Sequence, residues 1–140
     1  METTLAIVKP DAVAAGHAGK ILAHLEQEGF TLRALRLVRL TRAQAEGFYA
    51  VHRERPFFGS LVEFMTSGPC LPVALERENA QAQLREVMGA TDVAKAAPGT
   101  IRNLYGTSIE RNAIHGSDSL ENAALELAFF FPQTERIAAR

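Results

Sequence analysis

Tryptophan is missing from this chain, cysteine occurs once and tyrosine only twice. The single cysteine, Cys70, cannot close an intrachain disulfide, nor can it build a thiolate metal cluster. No run approaches the roughly 18 to 20 consecutive apolar residues of a membrane helix. The first residues, Met1-Glu2-Thr3-Thr4, lack a basic segment followed by a long apolar stretch, the pattern of a secretory signal. An excess of one charge sign is missing too, since 15 Lys and Arg against 16 Asp and Glu leave a net charge of -1. General capture of DNA or RNA needs a basic excess, which leaves room only for a local basic cluster aimed at one small polyanion. A reducing, cytoplasmic location is expected, with no membrane contact and no sequence-specific nucleic-acid binding.

What is present is the composition of a globular protein: 140 residues, 47% hydrophobic and 22% charged. That length suits one domain, residues 1–140, with one core. Leu5-Ala6-Ile7-Val8 reads as a buried strand stopped by Pro10, which leaves Lys9 at the strand's C-terminal edge. Ala18, Ile21, Leu22 and Leu25 recur at helical spacing up to Glu28, and Gly29 follows as the C-terminal stop. Thr31 to Leu40 reads as a second strand. Thr41 and Gln44 form a capping-box pattern that opens a helix carrying Ala45, Phe48 and Tyr49, with His52 one turn on.

Arg55-Pro56-Phe57-Phe58-Gly59 breaks that helix, and Leu61, Val62, Phe64 and Met65 start another, ended by Ser67-Gly68-Pro69. Cys70 to Leu75 is the next strand. Asn79 is placed to cap a helix carrying Ala80, Leu84, Val87 and Met88, closed by Gly89. Ala90 to Tyr105 has no clean period and reads as a long surface loop with room for a helical turn. Ala113-Ile114-His115 is a very short strand, Ser119 an N-cap, Leu120 to Phe130 a helix, and Phe131 to Arg140 an irregular tail. With the extra helical hairpin and the loop set aside, the order is β-α-β-β-α-β. This is an α+β, ferredoxin-like arrangement, a four-stranded antiparallel sheet with helices packed on one face.

Several chemistries fail on spacing. Gly16-His17-Ala18-Gly19-Lys20-Ile21 has Ile21 where a phosphate-binding loop needs Ser or Thr, and Ala14 where its first glycine belongs. No GxGxxG follows a strand, no histidine pair stands at metal-ligand spacing, and no GxSxG elbow exists for a hydrolase. What remains is His115 in a polar, glycine-containing loop, with Glu126 on the helix that follows. A carboxylate there can fix the tautomer of a nearby imidazole, although a solvated helix face is equally open to it. Lys9, Arg85 and Arg102 can donate to phosphate, while each alone also reads as a surface charge. Phe57 follows Pro56 in a loop, as either a ring for stacking on a base or a core residue at a hinge.

The motifs together resemble the nucleoside diphosphate kinase family over nearly the whole chain. Asn112-Ala113-Ile114-His115-Gly116-Ser117-Asp118 matches that family's N-x-x-H-G-S-D signature. Ile7-Val8-Lys9-Pro10-Asp11-Ala12, Phe48-Tyr49 with His52, Arg55-Pro56-Phe57-Phe58 and Pro98-Gly99-Thr100-Ile101-Arg102 match in the same order. The resemblance implies a ferredoxin-like core with an added helical hairpin. It implies transfer of a γ-phosphoryl group from a nucleoside triphosphate such as ATP or GTP to a nucleoside or deoxynucleoside diphosphate, through a phosphohistidine on His115. Glu126 would orient the imidazole with help from Ser117, and Lys9 and Tyr49 would join the catalytic set. Lys9, Arg85, Thr91, Arg102 and Asn112 match phosphate and ribose contacts, and Phe57 the ring that stacks on the base. Mg²⁺ would come on the nucleotide, with no dedicated protein ligands.

The resemblance also implies a homo-oligomer, with a tetramer favoured over a dimer or hexamer, and a short tail of the bacterial type. Two positions depart from the family pattern: Arg77 where glycine is common, and Leu104 where aspartate is common. The competing reading is a ferredoxin-like regulatory module that binds nucleotides or RNA. An RNA-binding sheet would show an aromatic-rich basic strand, and none of these strands does.

Overall fold

The computed structural model describes residues 1–136. The strands are β1 (Glu2–Val8), β2 (Thr31–Leu35), β3 (Leu71–Arg77) and β4 (Ile114–Gly116). The helices are α1 (Pro10–Ala14), α2 (Ala18–Gln27), α3 (Arg42–Phe48), α4 (Phe58–Met65), α5 (Ala80–Met88), α6 (Ile101–Tyr105) and α7 (Leu120–Phe130). Short 3₁₀ turns lie at Ala50–His52, Val93–Lys95 and Gln133–Glu135. The sheet is antiparallel in the order β2-β3-β1-β4, the strand order of a ferredoxin-like fold.

β1 sits near the middle of the sheet because Leu5, Ala6, Ile7 and Val8 are all apolar and all fully buried. Alternation sends Ala6 and Val8 to one face, against Ile21 and Leu25 of α2 and Leu84 and Met88 of α5. Leu5 and Ile7 face the other side, against Val62 and Met65 of α4 and Leu127 and Phe130 of α7. The sheet is therefore covered on both faces, which corrects the expectation of helices on one. A strand apolar on both sides cannot leave either face to water, since each exposed Leu or Ile would forgo about 1.5–3 kcal/mol of burial.

Three other expectations change in detail. β2 ends at Leu35, after a register shift between Leu32 and Ala34, and only the isolated Val38–Cys70 bridge continues the pairing. Asn79 precedes α5 in the left-handed region (φ 55°) and its side chain caps nothing, so its use is conformational. The stretch from Ala90 to Tyr105 is better ordered than a surface loop, because Ile101 and Arg102 of α6 are buried. The capping box of Thr41 and Gln44 is present in full, and Ser119 accepts from the Asn122 N–H to start α7. Of the tail, residues 137–140 lie outside the described residues.

The two departures from the family pattern have local explanations. Arg77 lies over the Phe30 ring and donates to the Glu28 carbonyl, tying the C-terminal end of α2 to β3. Leu104 is an exposed residue of α6.

Candidate active site

Register places His115 opposite Ile7 on the central strand. The side chain points toward the α7 face while its neighbours Ile114 and Gly116 point to α5. Gly116 is required there: a Cβ would stand 2.5 Å from the Met88 sulfur and 3.1 Å from Leu84. Glycine thus lets α5 close onto β4 directly beside the imidazole.

The His115 Nε2–H donates to Glu126 Oε1 at 2.8 Å, and the Ser117 hydroxyl donates to the same oxygen at 2.8 Å. Because a carboxylate only accepts, Nε2 carries the proton and Nδ1 keeps its lone pair. Ser117 is fully buried, and His115 and Glu126 are each about one-fifth exposed. Glu126 reaches this point because the Ser119 cap fixes where α7 starts, seven residues earlier. Phe48 packs edge-on to the imidazole at 5.5 Å and Tyr49 at 6.2 Å.

His115 opens into a cleft of about 740 Å³. Lys9 at the end of β1, Tyr49 after α3, Phe57 before α4, Arg85 of α5, Thr91, Arg102 of α6, Asn112 and Glu126 all line it. Every residue expected from the sequence is therefore on one cleft, apart from Ser117, which lies behind Glu126. Phe57 is 47% exposed at the cleft, which rules out the reading as a core residue at a hinge.

Lys9 is buried, and its ammonium donates to Asn112 Oδ1 at 2.9 Å and to the Glu110 carbonyl at 3.3 Å. Burial first, then the Arg102 charge, push its pKa down to about 8, against the pull of Asp11 and Glu110. Arg102 is also buried and donates to the Gly89 and Ile114 carbonyls at 3.1 and 2.8 Å. Burial and then Arg85 lower its pKa to about 10, so it stays charged at neutral pH. Its Nε has no partner among the described residues. The Tyr49 hydroxyl is likewise buried without a partner among the described residues, and burial holds its pKa far above the usual phenol value. Asn112 also donates to the Thr91 carbonyl at 3.2 Å, while Arg85 is exposed. The cleft thus carries cations whose donors are only partly used, beside an imidazole with a free lone pair.

The family model for nucleoside diphosphate kinases matches residues 2–136. The chain belongs to the nucleoside diphosphate kinase family. It is 60% identical over 131 residues to the nucleoside diphosphate kinase of Sorangium cellulosum, covering 94% of this chain and 91% of that one. A crystal structure of the Aquifex aeolicus nucleoside diphosphate kinase superposes with a TM-score of 0.95 at 50% identity, covering 97% and 99% of the two chains. The Halobacterium salinarum nucleoside diphosphate kinase in complex with CDP superposes with a TM-score of 0.94 at 40% identity, covering 99% and 93%. As a nucleoside diphosphate kinase by family, the chain is an enzyme that transfers phosphoryl groups between nucleotides.

Sequence reasoning missed some neighbours of the site. His52, matched with Phe48-Tyr49 in the family resemblance but given no role, lies between the Tyr49 ring (6.4 Å) and the Phe57 ring (5.4 Å) and lines the cleft. Glu110 accepts from Ser60 of α4 at 2.8 Å, and the Asp118 carboxylate accepts from Asn122. Asp11 reaches the strand of His115 from the far end of the chain.

Proposed function

We propose that phosphoryl transfer runs in two half-reactions through a phosphohistidine on His115 Nδ1. The observation that carries this is the Glu126–His115 pair, which occupies Nε2 and leaves Nδ1 as the ring nitrogen with a lone pair at the cleft. In the first half, that lone pair forms an N–P bond to the γ-phosphorus of a nucleoside triphosphate. The bond from phosphorus to the β,γ-bridging oxygen breaks, and the nucleoside diphosphate leaves with that electron pair. In the second half, a terminal β-phosphate oxygen of another diphosphate attacks, and the N–P electrons return to Nδ1. The Nε2 proton stays on the ring throughout, and Glu126 balances the positive charge that builds there, with Ser117 holding the carboxylate.

Lys9, Arg85 and Arg102 supply the field for the phosphates, and the Tyr49 hydroxyl and Thr91 are further donors at the cleft. Asn112 binds Lys9 and is placed for the ribose. Phe57 offers a π-face that accepts any base, so selectivity among bases is low and the product pool is broad. Mg²⁺ fits this donor set as a passenger on the nucleotide. Glu110, Asp118 and Glu126 each accept from a protein donor with one oxygen, and no three His, Cys, Asp or Glu side chains are grouped for a metal among the described residues, so phosphate oxygens and water would hold the ion. When bound it neutralises charge on the β- and γ-phosphates.

The same proposal covers one domain over the full chain, a cytoplasmic location and self-assembly, with a tetramer first. The β2 edge supports assembly: Leu35 and Leu37 are 47% and 62% exposed beside an unpaired strand edge. Light scattering on the purified chain would give the mass directly. A regulatory RNA-binding module loses ground because helices cover both faces of the sheet.

Incubation with γ-labelled ATP and Mg²⁺ should label the protein in an acid-labile, alkali-stable form. His115→Ala should abolish the label. Labelling that survives the substitution would refute the mechanism.

A further inference from the structure

Two residues before His115 the backbone is bent into a form that alanine seldom adopts. The Ile114 N–H donates to the Asn112 carbonyl at 2.9 Å, closing a three-residue turn with Ala113 at its centre. Ala113 has φ 75° and is fully buried, so this is the positive-φ form of the γ-turn, the rare and strained one. Such a conformation persists only when its surroundings over-determine it.

Both backbone groups of Ala113 are held by the segment after β1. Its carbonyl accepts from the Lys9 N–H at 2.9 Å, and its N–H donates to Asp11 Oδ2 at 3.1 Å. Asp11 lies in the first turn of α1, where a carboxylate would ordinarily serve its own helix; instead it bonds across 102 positions of sequence. Its other oxygen, Oδ1, is buried with no partner among the described residues. A carboxylate kept in so costly a place for one backbone N–H is there for that N–H.

We propose that Asp11 is a positioning residue for phosphoryl transfer: it locks the Ala113 turn and so sets the aim of the His115 imidazole. The turn decides how β4 begins, and a strand's start fixes which face and what depth each following side chain takes. This rests on the reading of His115 as the phosphoryl acceptor. Asp11 does not line the cleft, and its hydrogen bond goes to the Ala113 N–H rather than to the imidazole, so its effect falls on the chemical step rather than on nucleotide binding.

The test is the single-turnover rate of His115 labelling from saturating γ-labelled ATP and Mg²⁺, with nucleotide affinity and melting temperature measured alongside. Asp11→Ala should slow labelling by about tenfold to a hundredfold, the scale of a misplaced reacting group, with affinity little changed. Asp11→Asn keeps an acceptor and drops the charge; it should label nearly as fast as the parent. Asp11→Glu keeps the charge and misplaces the acceptor, so it should be slow. If Asp11→Ala does not fold, the asparagine and glutamate chains decide the matter between them. A slow asparagine variant with a fast glutamate variant would overturn the proposal, because the charge on nearby Lys9 would then be the cause. Parent-like rates in all the variants would overturn it as well. A parent protein that never labels on His115 refutes the phosphohistidine reading itself, which keeps the two failures distinct.

Discussion

Raising the pH from about 7 to about 10 should weaken nucleotide binding while making the empty protein more stable, and Lys9 is the cause of both. Its pKa is about 8 in the folded chain against the ordinary 10.5, mainly because the ammonium is buried. Above about pH 8 the empty enzyme therefore sheds this proton. A polyphosphate in the cleft restores the charge, so binding takes the proton back up, about one per site at roughly pH 9. The dissociation constant should then rise by about tenfold per pH unit through this window, from a plateau at lower pH.

In the folded chain, and so for binding, other groups stay out of the way. Cys70 is pushed up to about 11 by burial, Tyr49 goes higher still, and Arg102 begins to titrate only near about 10. Terminal phosphates are already fully ionised above about pH 7. Stability moves in the opposite sense. Between the folded and unfolded pKa values of Lys9 the unfolded chain binds more protons, so its contribution to stability rises with pH; that gain is complete above 10.5 and is lost as pH falls through about 8. Cys70 opposes it from about pH 9, where the unfolded thiol loses its proton and the folded one keeps it to about 11, so the clear rise lies between about pH 8 and 9. The difference between the two Lys9 pKa values corresponds to about 3 kcal/mol.

Isothermal titration of a nucleoside diphosphate in buffers of different ionisation enthalpy would read the proton uptake directly. Chemical denaturation across the same pH range would read the stability. Lys9→Met should bind more weakly at neutral pH, lose the affinity slope and lose the rise in stability between about pH 8 and 9. A flat affinity from pH 7 to 10, or an affinity slope or stability rise that persists in Lys9→Met, would refute the reasoning.

Phe57→Ala should weaken purine and pyrimidine nucleotides alike, by about 1–3 kcal/mol of lost stacking; a loss confined to one base, seen by competition binding, would contradict the stacking role. Glu126→Ala should cut the rate of His115 labelling by roughly a hundredfold or more, since it frees the tautomer and removes the carboxylate that balances the charge on the ring, and loss of one such electrostatic partner costs about 10²–10³; stopped-flow or quench kinetics would measure it. Gly116→Ala should cost about 1–3 kcal/mol by driving α5 off β4, and denaturant unfolding would show an unchanged midpoint if the close approach to Met88 is unimportant.

Local signals were read well from the chain. The Thr41–Gln44 box, the Ser119 cap and the Leu5–Val8 run each carry their structure within a few residues, so the elements they mark fall where expected. What lay beyond reach depended on distant partners. Nothing near Asn79 tells a left-handed turn from a side-chain cap, and nothing near Arg33 announces the register shift that cuts β2 short. Coverage of both sheet faces needed the hairpin of α3 and α4 to be placed, although Leu5 and Ile7 alternating with Ala6 and Val8 already required it. In the site, the resemblance gathered Arg85, Thr91 and Arg102, each ambiguous alone. Asp11 escaped because its partner is a backbone N–H at Ala113, and a backbone group leaves no trace in residue type.

Arg102 has a second consequence for the sheet. β4 lies at one edge, and the Lys9–Ala113 and Ser117–Leu5 hydrogen bonds on its inner side leave both backbone groups of Ile114 turned outward. An open edge of this kind invites another strand. Here the outward N–H is consumed by the Ala113 turn, and the outward carbonyl is plugged by the Arg102 guanidinium at 2.8 Å. A side chain of the cleft thereby acts as a bolt on the rim of the sheet. One guanidinium thus serves both the cleft and the rim, so a lysine in its place would keep the charge and still surrender the bolt, having no second arm with which to hold both Gly89 and Ile114.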